Sequence, residues 1–91
     1  MRSFVRANLL VRGQVEDQNF PSAAQATAQR LNLSGWVRSA PAAGIEVEIE
    51  GPKEAVASFI EWCQFAPPPV RVETVEVSWR SCQGDRTFRV H

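Results

Sequence analysis

Tyrosine is absent from this 91-residue chain, lysine occurs once as Lys53, and histidine occurs once, at the last position, His91. Cysteine is nearly as scarce: Cys63 and Cys82 stand alone, with no second Cys or His at ligand spacing. That spacing argues against a metal site and against a disulfide framework, and both thiols are expected in buried or half-buried structural positions. Long hydrophobic runs are also missing. Leu9, Leu10 and Val11 are too few for a signal-peptide core or a bilayer span, so a cytoplasmic protein with no membrane partner is expected. There is no charge excess either, since ten Lys plus Arg meet ten Asp plus Glu. A nucleic-acid partner is not expected from a neutral chain without Tyr whose outer strand positions are acidic.

What is present describes a folded unit. An apolar content of 44% with 22% charge is ordinary for a globular chain, and the length suits a single domain over 1–91, expected to be monomeric. From Phe4 to Val15 the side chains alternate, with Val5, Ala7, Leu9 and Val11 on one face and Arg6, Asn8 and Arg12 on the other. Period two predicts a half-buried strand that ends near Gly13. Phe20 and Pro21 then open a helix to Asn32, its apolar stripe Phe20, Ala24, Ala28 and Leu31 at spacings of three and four. A short strand follows over Trp36–Ser39, then a loop from Ala40 to Gly44.

Ile45–Glu50 alternates without a fault, with Ile45, Val47 and Ile49 inward and Glu46, Glu48 and Glu50 outward, on the open face of a sheet. Gly51 and Pro52 lead into a second helix reaching about Phe65, with Val56, Phe59, Ile60 and Cys63 inside, and Pro67 to Pro69 stop it. Val70–Arg80 reads as a fourth strand carrying Val75, Val77 and Trp79 on one face, and Thr87–Val90 as a short strand-like tail. Trp36, Trp62 and Trp79 are expected in packing. The order strand, helix, strand, strand, helix, strand predicts an α+β, ferredoxin-like βαββαβ sandwich: an antiparallel sheet with two helices on one face.

The turn between the first strand and the first helix is the natural place for an anion, because a helix start offers unpaired N–H groups and a positive dipole end. Val11, Gly13, Val15 and Phe20 keep the spacing of a Val-x-Gly-x-Val-Gln-Gly-Val-x-Phe-Arg segment, and Leu31, Leu33, Gly35, Trp36 and Val37 that of Leu-x-Leu-x-Gly-Trp-Val-x-Asn. Together these segments resemble the acylphosphatase family, and the likeness runs from about Val5 to Val90. The resemblance implies hydrolysis of the carboxyl-phosphate bond of small acyl phosphates, without a metal or other cofactor. It also implies that an Arg ending the first segment holds the phosphate, that loop amides cradle its oxygens, and that an Asn ending the second segment positions the attacking water.

This chain departs from the pattern at those positions. The family's Arg falls on Pro21 and its Asn on Ser39, so no catalytic residue of the family is intact. The anion-binding loop would be Gln14, Val15, Glu16, Asp17, Gln18, Asn19 and Phe20, with Glu16 and Asp17 where a phosphate wants positive charge. Each unit charge pair at about 5 Å costs about 3 kcal/mol at an effective dielectric near 20. Loss of a charge-assisted clamp is worth about 2–3 kcal/mol more. Hydrolysis is therefore expected to be lost or very weak. The alternatives are an active enzyme that recruits a displaced Arg, Arg12 or Arg38, or a non-catalytic binding or regulatory module. The expected partner is a small acyl phosphate or another small anion.

Overall fold

A computed structural model of the protein describes residues 3–14, 19–40, 44–65 and 71–91, with the side chains of Gln14, Asn19 and Ala40 outside that description. Its elements are β1 (Phe4–Gln14), α1 (Asn19–Arg30), β2 (Ser34–Ala40), β3 (Gly44–Pro52), α2 (Lys53–Gln64), β4 (Arg71–Arg80) and β5 (Phe88–Val90). The strands lie in the order β4-β1-β3-β2-β5. The first four pair antiparallel, as the alternation predicts, whereas β5 runs parallel to β2 and makes the sheet mixed. Parallel pairing is possible because residues 81–87 carry the chain from one sheet edge to the other. The first helix starts two residues before Pro21, so this proline is the third helical residue and not the first. The loop at 41–43 and the proline cluster Pro67 to Pro69 lie outside the described residues.

Alternation sorts the sheet residues as expected on one face. Ala7, Leu9, Val11, Val37, Ile45, Val47 and Ile49 are buried against Phe20, Ala24 and Ala28 of α1 and Val56, Phe59 and Cys63 of α2. Burying each large aliphatic or aromatic side chain is worth about 1.5–3 kcal/mol, so this layer supplies most of the driving force. Trp62 joins the two helices, its ring 5.7 Å from that of Phe20 and 5.5 Å from that of Phe59. At the C-terminal end of α1, Asn32 takes a positive φ of 57°. Its N–H bonds to the Gln29 carbonyl and the Leu33 N–H to that of Ala28, a Schellman ending that folds Leu33 back into the core. Of the cysteines only Cys63 is buried, its thiol pushed up to about 12 by burial; Cys82 is exposed, contrary to expectation, because it follows an edge strand.

The other face of the sheet departs from expectation more sharply. Glu48 and Glu50 do not face solvent: they are buried with Arg6 and Asn8. The cover is the segment after β4. Gln83 and Gly84 donate their N–H groups to the two Glu50 carboxylate oxygens at 2.6 and 2.9 Å. The Arg6 guanidinium donates to Glu48, to Glu50 at 3.0 Å and to Asp85 at 2.9 Å. Asn8 donates to Glu46 at 2.8 Å and to Glu48 at 3.0 Å. Burial would lower the Arg6 pKa, yet its carboxylate partners hold it above the ordinary value. Burial likewise works to raise the Glu50 carboxyl, and is outweighed by the Gln83 N–H, the Arg6 guanidinium and the Gly84 N–H, which together leave it below the usual range. Charge buried in this way is tolerable because, among the described residues, no buried side-chain nitrogen or oxygen lacks a hydrogen-bond partner.

Candidate functional site

β1 and β2 both run antiparallel to β3, so their C-terminal ends share one pole of the sheet. Val11, Ile45 and Ser39 form one row there, Val11 opposite Ile45 and Ile45 opposite Ser39. Two strand spacings put Ser39 about 10 Å from Val11. Its side chain, two residues on from buried Val37, shares that residue's face, the one that carries the helices, and is exposed to solvent. α1 begins at the same pole, with Phe20 buried, Pro21 half-buried and Ser22 exposed. Pro21 and Ser39, separated by eighteen positions in sequence, thus belong to one end of one face.

The glycine of the first segment is explained by geometry at this pole. The register of β1 on β4 shifts between Arg12 and Gly13, and Gly13 has a φ of 135°. A Cβ at Gly13 would lie 2.3 Å from the Arg71 carbonyl oxygen, so no other residue fits without movement of β4. Gly35 meets the same limit: with φ 133°, its Cβ would stand 1.9 Å from the Glu48 carbonyl oxygen. Both glycines, and Phe20 with Leu33, serve the fold.

The chemical half of the pattern is different. Pro21 carries no cation and no N–H, so it removes both the guanidinium expected there and one of the free amides of a helix start. Val15, Glu16, Asp17 and Gln18 lie outside the described residues, as do the side chains of Gln14 and Asn19. Arg12 and Arg38 both project from the opposite face of the sheet, alternating with the core residues Val11 and Val37. Arg38 is held there by Glu46 through Nε at 2.8 Å and Nη2 at 2.7 Å, with its guanidinium 5.2 Å from the Trp36 ring centre. The Glu46 carboxyl stands below the usual range because Asn8 donates to it and, against the opposing effect of burial, Arg38 does too. Arg12 lies 3.6 Å from Glu76 in an exposed pair.

One cation escaped the sequence reading. Arg71 pairs in register with Gln14, the first residue of the expected anion-binding loop, across the shifted part of the β1–β4 ladder, next to Val72, which packs against the core. Nothing in local sequence signals this neighbour, since it follows from pairing across 57 positions and a bulge. Among the described residues no group of three His, Cys, Asp or Glu is placed to hold a metal.

Fold and pole together define a small α+β sandwich of the ferredoxin-like kind, with the end of β1, the start of α1 and Ser39 at one pole. The acylphosphatase family model matches residues 7–90. The acylphosphatase of Anaeromyxobacter dehalogenans is 40% identical over 85 residues, covering 93% of this chain and 91% of that protein. The solved acylphosphatase of Bacillus subtilis superposes with a TM-score of 0.90 at 28% identity, over 96% of this chain and 98% of its own. The one from Coxiella burnetii shares the fold with a TM-score of 0.91 at 24% identity, over 97% and 93%. This chain belongs to the acylphosphatase family. No helix of the described residues is long and apolar enough to cross a membrane.

Proposed function

We propose that this chain is a single-domain, cytoplasmic member of the acylphosphatase family that retains a small-anion site but hydrolyses acyl phosphates very weakly or not at all. The observation that carries this reading is that, among the described residues, no cation stands on the helix side of the site pole: Pro21 stands at the Arg position, and Arg12 and Arg38 are on the other face. Loss of the charge-assisted clamp accounts for about 2–3 kcal/mol. Repulsion from even one of the loop carboxylates, Glu16 or Asp17, adds about 3 kcal/mol and brings the deficit to about 5 kcal/mol, and each 1.4 kcal/mol is tenfold in rate. Ser39 keeps a hydroxyl that can order a water but is shorter than Asn and lacks its separate carbonyl acceptor and two N–H donors. No metal or other cofactor is needed for this chemistry, and neither a nucleic acid nor a membrane enters it. The ligand is a small acyl phosphate or a related small anion, held by loop amides.

Benzoyl phosphate turnover tests the reading. With the Anaeromyxobacter relative assayed alongside, this chain is expected at least a thousandfold slower, as about 5 kcal/mol implies; equal rates would refute it. A second reading, active hydrolysis through a displaced Arg, is favoured by one feature, the register of Arg71 beside Gln14. If that reading holds, wild-type turnover is substantial and Arg71→Ala abolishes it, while Arg12→Ala and Arg38→Ala leave it unchanged.

A further inference from the structure

The two edges of the sheet are unequal. On one side β5 is three residues long and its Phe88 is buried. On the other, β4 offers ten residues whose outer edge meets no strand among the described residues, and most of them are exposed. Proteins ordinarily blunt such an edge with Lys, Pro, a bulge or a covering segment. β4 has neither Lys nor Pro, and its irregularity lies at the Arg12 to Gly13 shift, which leaves Thr74–Arg80 regular. Along that regular stretch Val77 is 38% and Trp79 62% exposed, two large apolar side chains on the helix face that α2 does not cover. Trp79 is therefore not the packed residue that its alternation with Val75 and Val77 predicts, because it stands on a free edge.

The stretch also complements itself. Glu76, Ser78 and Arg80 pair with Leu10, Asn8 and Arg6 and share the outer face, while Val77 and Trp79 pair with Leu9 and Ala7 and share the helix face. In an antiparallel pairing that continues the sheet, directly opposed residues must lie on the same face. A two-fold axis at Ser78 then sets Glu76 against Arg80 and Val77 against Trp79, each twice. Opposite charges and an aromatic with a β-branched side chain are the favourable cross-strand pairs. Moving the axis to Val77 leaves Glu76 facing Ser78, and moving it to Glu76 sets Glu76 against itself. The exposed Arg12–Glu76 contact of 3.6 Å is too weak to withhold Glu76.

We propose that the free edge of β4 pairs with β4 of a second copy of this chain, antiparallel about a two-fold axis at Ser78, so that two five-stranded sheets run on as one. A second copy is the fitting occupant because each pair that the edge can form has both halves within the same five residues. Pro21, Ser39 and Arg71 lie outside the paired segment, so the dimer stands or falls independently of hydrolysis.

Sedimentation equilibrium of the full chain from about 1 μM to 1 mM, the range in which modest interfaces associate, is expected to give a mass that rises toward two chains. Trp79→Lys weakens association at least tenfold. Glu76→Arg also weakens it, and adding Arg80→Glu restores it, which only a register opposing these two residues allows. In a Cys82→Ser background, Ser78→Cys oxidises to a covalent dimer, because opposed Cα atoms at about 4.5–5.5 Å suit a disulfide. A mass of one chain throughout overturns the proposal. So does a dimer that is indifferent to the charge swap and whose Ser78→Cys form does not cross-link.

Discussion

The two faces of this sheet treat charge in opposite ways. On the outer face Arg6 is buried among Glu48, Glu50 and Asp85, and the segment carrying Gln83 and Gly84 closes over them. On the helix face, at the pole where the family's Arg and Asn positions fall, Pro21 and Ser39 stand without a cation among the described residues. The contrast separates two things that one signature mixes. Gly13, Gly35, Phe20 and Leu33 remain because the backbone and core admit little else at those places. The Arg and Asn positions hold no part of the core together, so they are free to change while the fold persists.

The largest effect that would break this contrast comes from its buried side. Arg6→Met leaves Glu48 and Glu50 buried without their cation, and unfolding in urea is expected to reveal a loss of about 3–5 kcal/mol. A loss below about 1 kcal/mol would make Arg6 no more important than a surface pair. Next comes Gly35→Ala, which forces a Cβ against the Glu48 carbonyl at a positive φ and is expected to cost about 2–4 kcal/mol by the same measurement. A neutral result would mean that β2 and β3 yield easily, and that the surviving glycines do not mark the scaffold.

Acid sharpens the comparison further. The Glu50 and Glu46 carboxyls titrate below their unfolded value of 4.5, so the unfolded chain takes up protons first as pH falls. Their contribution is complete above that value and is lost as pH drops through the lower, folded one. Urea midpoints measured from pH 7 to pH 3 are therefore expected to hold steady and then fall, and Glu50→Gln makes the fall shallower. The smallest effect belongs to Arg38→Ala. Its exposed pair with Glu46 is worth less than about 1 kcal/mol, and because it faces away from Ser39 its loss leaves phosphate affinity unchanged by isothermal titration.

The helix face was legible in the sequence because its pattern is local. Period two in Val5–Val11 and Ile45–Ile49, and three-four spacing in Val56–Cys63, identify core residues that the structure buries. The outer face was not. Glu46, Glu48 and Glu50 alternate like solvent-facing residues, and what buries two of them is a segment without periodicity whose path depends on β5 pairing in parallel with β2. Trp79 misleads for a related reason, since alternation gives the face of a strand but not whether it lies at an edge. The face occupied by Arg12 and Arg38 was implied by alternation with Val11 and Val37, whereas the register of Arg71 beside Gln14 depends on a bulge and on pairing between distant segments.

If an intact acylphosphatase scaffold lacks only its chemical groups, putting them back restores hydrolysis. Benzoyl phosphate hydrolysis is to be measured for the wild type and for a variant carrying Pro21→Arg, Ser39→Asn and Asp17→Gly. A wild type near the uncatalysed rate, with clear turnover by the triple variant, is the predicted result. Turnover by the wild type at a relative's rate, or a triple variant that stays as inactive as its parent, would contradict the account.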